Sequence, residues 1–294
     1  MQGFLNLNKP AGWTSRDVVN VVAKGCPRGT KVGHAGTLDP LATGVLVVAV
    51  GRATRLISLV QDGRKVYRAE FLLGRISDTE DVEGKVVEIE NPPHPTANEI
   101  EGALPQLTGD ILQRPPAYSA IQIGGQRAYD LARTGKTVEL APRPVRVDAI
   151  HLRSYDYPKL ELEVVCGKGT YIRSLGRDLA EKLGSGAVMS ALVRTQVGAF
   201  RLAEATMVEE LRAAGPERFL RPLIEAIPES MPRLSPPEAV LRRLLQGQVV
   251  ELDCNAEEAA VLAAGHVAAI VRRVAPGGRY HGSVNLMTVE ELPR

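Results

Sequence analysis

Hydrophobic positions along this chain follow two periods, and the points where the period changes mark its elements. The continuous run Val45-Leu46-Val47-Val48-Ala49-Val50 predicts a strand buried on both faces. From residue 64 to 73 the pattern alternates, with Tyr67, Ala69, Phe71 and Leu73 on one face and Val66, Arg68, Glu70 and Leu72 on the other. Leu160, Leu162, Val164 and Cys166 give a second alternation, and residues 4–7, 145–152 and 187–200 read as further strands. Helical spacing appears at Val18, Val19 and Val22, with Ser15 as the expected N-cap, and at Ile172, Leu175, Leu179 and Leu183, capped by Thr170. A short helix is expected over residues 53–60, and Thr96-x-x-Glu99 and Thr206-x-x-Glu209 read as capping boxes. Residues 126–134 fit a helix closed by Gly135, and residues 77–83 read as an exposed acidic turn before a strand at 85–89.

At 294 residues the chain exceeds one average domain, so a large domain with a smaller one is expected. The proline-bearing stretch 228–237 marks the boundary. Beyond it a helix starting at Ser235 and short β-rich runs at 248–252, 266–274 and 279–287 suggest a compact barrel-like module. There is no internal repeat and no low-complexity tract. Hydrophobic residues make up 44% of the chain but aromatics only 4%, so aliphatic packing must dominate the core.

The net charge of +2 is too mild to identify a partner, but its distribution is uneven. Up to Arg75 the basic residues Lys9, Arg16, Lys24, Arg28, Lys31, Arg52, Arg55, Arg64, Lys65, Arg68 and Arg75 face only Asp17, Asp39, Asp62 and Glu70. Such a segment suits a polyanionic substrate, and ordinary solvated surface charge explains it equally well. Cys26, Cys166 and Cys254 stand far apart, which argues against a disulfide framework and a zinc site. The histidines form no metal-binding spacing. A secretory leader and a membrane span are both absent from the pattern, so a cytoplasmic protein is expected.

Two stretches concentrate chemistry. Val32-Gly33-His34-Ala35-Gly36-Thr37-Leu38-Asp39-Pro40-Leu41-Ala42-Thr43-Gly44 holds three glycines and one carboxylate, and runs directly into the buried strand. Its glycines permit close approach of a ligand to the backbone, with Asp39 fixed between a turn and the core; an ordinary Asp-Pro turn is the plainer alternative. In Gly167-Lys168-Gly169-Thr170-Tyr171-Ile172-Arg173, an arginine sits in the first turn of a helix, where the dipole disfavours a cation. An acidic partner would explain Arg173, and an exposed helical arginine is the alternative. Tyr67 points to the apolar side, as a core tyrosine does.

Nucleotide-binding glycine signatures are missing, and Asp39-Pro-Leu-Ala-Thr-Gly does not match the paired D-T-G loops of aspartyl proteases. An ordinary glycosidase uses two carboxylates, whereas one is evident here, with arginines for company. A carboxylate beside an arginine stays ionised and serves as nucleophile or charge stabiliser. The chemistry implied builds positive character on a sugar carbon and needs no water.

Leu7-Asn8-Lys9-Pro10-x-Gly12-Trp13-Thr14-Ser15, Gly33-His34-x-Gly36-Thr37-Leu38-Asp39-Pro40-Leu41-Ala42-Thr43-Gly44, Lys65-Val66-Tyr67, Pro116-Ala117-Tyr118-Ser119-Ala120 and Lys168-Gly169-Thr170-Tyr171-Ile172-Arg173 follow one another in that order. The sequence thereby resembles the bacterial TruB family of tRNA pseudouridine synthases over essentially its whole length. The resemblance implies an α+β fold: a pseudouridine synthase catalytic domain (1–228) on a mixed, largely antiparallel sheet, with a small C-terminal β-rich PUA-like RNA-binding module (229–294). It implies cofactor-free, metal-free isomerisation of uridine to pseudouridine in the T-loop of tRNA, at the position numbered 55. By the same match Asp39 is the catalytic aspartate, Arg173 pairs with it, Tyr67 stacks on the target base and Leu192 packs in the pocket. His34 fills the space left by the flipped nucleotide, and Tyr171 and Lys9 support the site. The tRNA T-arm is the expected partner, recognised by loop shape, stacking and phosphate contacts. A membrane and an obligate protein partner are not expected, and a monomer is. A non-catalytic RNA-binding protein on the same scaffold, or a uridine glycosylase in which water captures the sugar, are the competing readings.

Overall fold

The computed structural model describes residues 1–118, 122–123, 126–127, 140–275 and 277–292. Its strands are β1 (Gly3–Lys9), β2 (Val32–His34), β3 (Thr43–Val50), β4 (Lys65–Leu73), β5 (Arg75–Ile76), β6 (Val87–Glu88), β7 (Gly109–Gln113), β8 (Gln122–Ile123), β9 (Gln126–Arg127), β10 (Arg143–Asp156), β11 (Lys159–Cys166), β12 (Ala187–Val197), β13 (Phe200–Arg201), β14 (Thr206–Met207), β15 (Arg233–Leu234), β16 (Val250–Glu251), β17 (Glu258–Ala263), β18 (His266–Ala275) and β19 (Arg279–Asn285).

Among the described residues, ten strands form one mixed sheet in the order β14-β1-β3-β12-β4-β11-β10-β7, with β2 beside β3 and β13 beside β12. The β1–β14 and β3–β12 pairs run parallel and the remaining pairs antiparallel. The apolar run becomes β3, between β1 and β12. Leu46, Val48 and Val50 join Leu5, Leu7, Val18, Val19 and Val22 on one face. Val45, Val47 and Ala49 meet Phe4, Phe200 and Ile227 on the other. Each such fully buried aliphatic side chain contributes roughly 1.5–3 kcal/mol, so β3 anchors whatever loop precedes it.

The alternation of β4 is also observed. Tyr67, Ala69, Phe71 and Leu73 are buried, and they pack with Ile172, Leu175 and Leu179 of the helix Ile172–Lys182. That helix lies so close that a Cβ built at Gly176 would sit 2.1 Å from the Phe71 ring. Helix and strand are thus locked face to face, which fixes the height of Arg173 above the sheet.

A second sheet, β15-β17-β18-β19-β16, forms the C-terminal β-rich module. It has its own core around Leu241, Leu244, Val261 and Tyr280, while Ala260, Val267, Ile270 and Leu286 share a cluster with Phe4, Val45 and Phe200 of the large sheet. Arg52 and Arg55 donate to the carbonyls of Leu286 (2.9 Å) and Asn285 (2.6 Å). Two arginines of the basic segment are therefore engaged by this module. No described helix is long and apolar enough to cross a membrane.

Several local expectations change. Thr14, not Ser15, caps the first helix and closes a capping box with Asp17. Residues 206–207 form a strand, and the following helix begins at Val208 with Glu210 reaching back to Met207. The last helix starts at Glu238 without a side-chain cap, so Ser235 lies outside it. The helix expected over 53–60 splits into a 3-10 turn, Gly51–Leu56, and a helix, Ile57–Asp62. Gln126–Arg127 pair with Gln122–Ile123 instead of opening a helix; the rest of that expected helix, and Ser119-Ala120 of the proline-rich motif, lie outside the described residues.

Substituting Gly176 by alanine tests the helix–sheet contact. Alanine gains about 1 kcal/mol of helix propensity, but overpacking against a core ring costs about 1–3 kcal/mol. Gly176→Ala is expected to lower the urea midpoint with an unchanged m-value; a raised midpoint would show that the ring yields freely.

Candidate active site

The loop between β2 and β3 is held from three sides. Ser15, freed from capping, accepts from the Leu38 amide (2.9 Å) and donates to the Leu38 carbonyl (3.2 Å). Lys9 is fully buried, and its ammonium donates to the carbonyls of Trp13 (2.6 Å), Pro10 (2.9 Å) and Pro40 (3.2 Å). Burial pulls the Lys9 ammonium down to about 8, and the nearby Asp39 carboxylate opposes that pull. Arg194 on β12 donates to the carbonyls of Val45 (2.8 Å), Gly36 (3.1 Å) and Thr37 (3.3 Å). Gly44 passes directly over the Arg194 backbone, where a Cβ would lie 2.3 Å from the Arg194 carbonyl oxygen. Glycine is required there by close approach and by a φ of +100°. Asp39 is therefore set between two gripped segments of backbone.

Arg173 meets Asp39 from the opposite wall. Its Nε lies 3.1 Å from Asp39 Oδ2, and its Nη1 lies 3.4 Å from Asp81 Oδ2. The same guanidinium donates to the carbonyls of Thr79 (2.6 Å) and Tyr118 (3.0 Å). The Arg173 side chain is 7% exposed and that of Asp81 4%, while Asp39 retains 36%. The exposed end of this chain of charges is thus the Asp39 carboxylate, free to face a substrate. Thr170 does not cap the helix. Tyr171 occupies the N-cap, and the buried Gln113 of β7 accepts from its amide (2.8 Å) and donates to its carbonyl (3.0 Å).

The acidic stretch 77–83 is not an exposed turn. Asp81 is buried and accepts from the Thr79 hydroxyl (2.6 Å) and the Glu83 amide (3.0 Å). Glu80 pairs with Arg177 and accepts from Ser174 (2.6 Å). Burial pushes the Glu80 carboxyl up, against the pull of these two donors. The buried charges of Arg173 and Arg177 demand carboxylates, and this segment supplies them by folding onto the helix. The neighbouring strand shrinks accordingly to Val87–Glu88.

Around Asp39 lies a cleft of about 620 Å³, walled by Gly36, Lys65, Tyr67, Tyr171, Leu192 and Arg194. Tyr67 stands opposite Arg194 in the β4–β12 register, and Leu192 opposite Ala69. Burial raises the Tyr67 hydroxyl while the adjacent guanidinium lowers it, so the phenol is held neutral. Burial also brings the Lys65 ammonium down to about 8 and pushes the Cys166 thiol up to about 11. Asp39, Arg173, Tyr67, Tyr171 and Leu192 are thus brought together. Lys9 sits beneath the loop, and half-buried His34 on β2 lies outside the cleft lining, accepting from the Gly36 amide through Nδ1 (3.3 Å). Burial and the charges of Arg16 and Arg194 lower its pKa. Asp81, Gln113 and Arg194 were not singled out from sequence. Arg194 had one usable signal: it shares a strand face with Leu192.

The TruB family pseudouridylate synthase N-terminal domain matches residues 24–172, and a tRNA pseudouridylate synthase B C-terminal domain matches 173–229. A tRNA pseudouridine synthase B of Acaryochloris marina is 45% identical over 257 residues, covering 86% of this chain and 88% of the relative. That of Dehalococcoides mccartyi is 40% identical over 286 residues, covering 96% and 95%. Among solved structures, a Cbf5-Nop10-Gar1 complex gives a TM-score of 0.75 at 23% identity, covering 99% of this chain and 87% of that one; this likeness establishes the fold. With motif order, cleft and relatives in agreement, the chain belongs to the TruB family of pseudouridylate synthases.

Proposed function

We propose that this enzyme isomerises uridine to pseudouridine in the T-loop of tRNA, at position 55, with Asp39 as nucleophile on a flipped-out nucleotide. The tRNA substrate rests on the relatives named tRNA pseudouridine synthase B. The observation that carries the residue assignment is the half-exposed Asp39 carboxylate, 3.1 Å from a buried arginine in a cleft of nucleoside size.

Asp39 meets the nucleotide with Arg173 fixing its second oxygen and its charge. As the C1′–N1 bond breaks, its electron pair passes to the pyrimidine. Asp39 bonds to C1′ as the base departs. The base turns, and C5 bonds to C1′ while the Asp39–C1′ bond breaks and returns its electron pair to the carboxylate. The C5 hydrogen leaves as a proton and N1 takes one up, so atoms and charge balance without water or a cofactor. Neutral Tyr67 stacks on the base and assists proton transfer, and Leu192 with Tyr171 closes the pocket against water. His34, outside the cleft lining, fills the gap left by the flipped nucleotide. Residues 1–228 form the catalytic domain and 229–294 a PUA-like RNA-binding module. The exposed Arg16, Lys24, Arg28, Lys31 and Arg64 supply phosphate contacts.

Asp39→Asn is expected to reduce tritium release from C5-labelled uridine in tRNA to background while tRNA affinity changes only a few-fold; full activity would sink the mechanism. Arg173→Lys is expected to cost about 10²–10³-fold in turnover, the size of losing one preorganised donor, because a point charge cannot replace the planar fork shared by Asp39 and Asp81. Unchanged turnover would show the pairing to be incidental. Free uracil among the products would indicate a glycosylase instead.

A further inference from the structure

Arg194 is a buried cation without an ion-pair partner of its own among the described residues. It is 2% exposed, and its described hydrogen bonds go to the carbonyls of Gly36, Thr37 and Val45 and to the Tyr67 hydroxyl. Among the described residues no carboxylate lies within ion-pair distance of it, whereas Arg173 has two. Its charge acts on Lys9 on β1, His34 on β2, Lys65 and Tyr67 on β4, and Cys166 on β11, none of them an anion in its ordinary state, while the Asp39 carboxylate that lines the same cleft is paired with Arg173. Neutral amide donors would grip three carbonyls without the penalty of burying a cation. A guanidinium has five N–H donors; three go to carbonyls, and the Tyr67 hydroxyl accepts from the remainder, so those donors are turned into the cleft. The residue lines the cleft directly across from Tyr67.

The proposed reaction supplies the missing anion. Breaking C1′–N1 leaves the electron pair on the pyrimidine, delocalised over N1 and the ring carbonyl oxygens. We infer that Arg194 is the charge that stabilises this departing base, in addition to holding the Asp39 loop. The inference rests on the reading of the cleft as the uridine site. It assigns the two arginines different duties: Arg173 pairs with the Asp39 carboxylate, and Arg194 accepts the anion that forms on the base. A preorganised, water-excluded cation is worth most at such a point, because it needs no reorganisation as the charge appears.

The test varies the leaving group. 5-Fluorouracil is a more acidic base than uracil, so it needs less help to depart as an anion. Single-turnover loss of the N-linked nucleoside is followed by chromatography of nuclease digests, using tRNA transcripts carrying uridine or 5-fluorouridine at the target. Arg194→Gln is expected to slow cleavage about 10²–10³-fold with uridine but only about tenfold with 5-fluorouridine. Equal losses on the two RNAs would overturn the inference, since a displaced loop slows both alike. Should the glutamine variant fail to fold, Arg194→Lys gives the second measurement. A lysine buried there titrates well below its solution value, so cleavage relative to wild type is expected to fall as pH rises, more steeply for uridine. Lys9, His34, Lys65, Tyr67 and Cys166 are common to both proteins and cancel in that ratio. A pH-independent ratio, or equal slopes on the two RNAs, would overturn the inference. A wild-type chain that leaves both RNAs unchanged would overturn the proposed function, and this inference with it.

Discussion

The contact between Asp39 and Arg173 is the constraint on which the rest of the molecule depends. Its two residues come from opposite walls and distant parts of the sequence, so each wall must be rigid for 3.1 Å to be held. One wall is the loop that enters β3, gripped by Lys9, Ser15 and Arg194. The other is the helix Ile172–Lys182, pressed onto β4 through Gly176 and Phe71 and held at its start by Gln113. Large-sheet burial supplies the stability, and a few buried polar contacts supply the register.

Those polar contacts are costly, which explains their arrangement. Lys9, Arg173 and Arg194 are nearly dry, and a buried cation survives only when its donors are satisfied. Lys9 donates to the carbonyls of Pro10, Trp13 and Pro40, and Arg194 to those of Gly36, Thr37 and Val45 and to the Tyr67 hydroxyl. Arg173 is satisfied by Asp39, Asp81 and two carbonyls. The carboxylate that remains partly exposed is therefore surrounded by positive charge, at the mouth of the cleft where a ligand can reach it.

Much of this was legible in sequence because periodicity reports burial. The continuous run of β3 and the alternation of β4 were readable, and with them the inward direction of Tyr67. The family resemblance implied a shared site for Asp39, Arg173, Tyr67, Tyr171 and Leu192, and these five side chains line one cleft. What escaped the sequence were residues whose partners are carbonyls or distant charges. Asp81 looked like one of several solvated acids, since nothing local reveals that Arg173 will need a second carboxylate. Ser15 resembled a cap because its true partner, Leu38, is remote in the chain. Gln113 leaves no periodic signal at all.

Under the proposed function, a single paired carboxylate in this cleft performs a cofactor-free isomerisation on a looped RNA. Mapping pseudouridine in a transcribed tRNA and in an isolated T-arm hairpin, each incubated with the purified chain in the presence of a chelator, tests it most directly. One pseudouridine, at position 55, is expected in both RNAs, with no free uracil. Unmodified RNA, or modification only outside the T-loop, would contradict it.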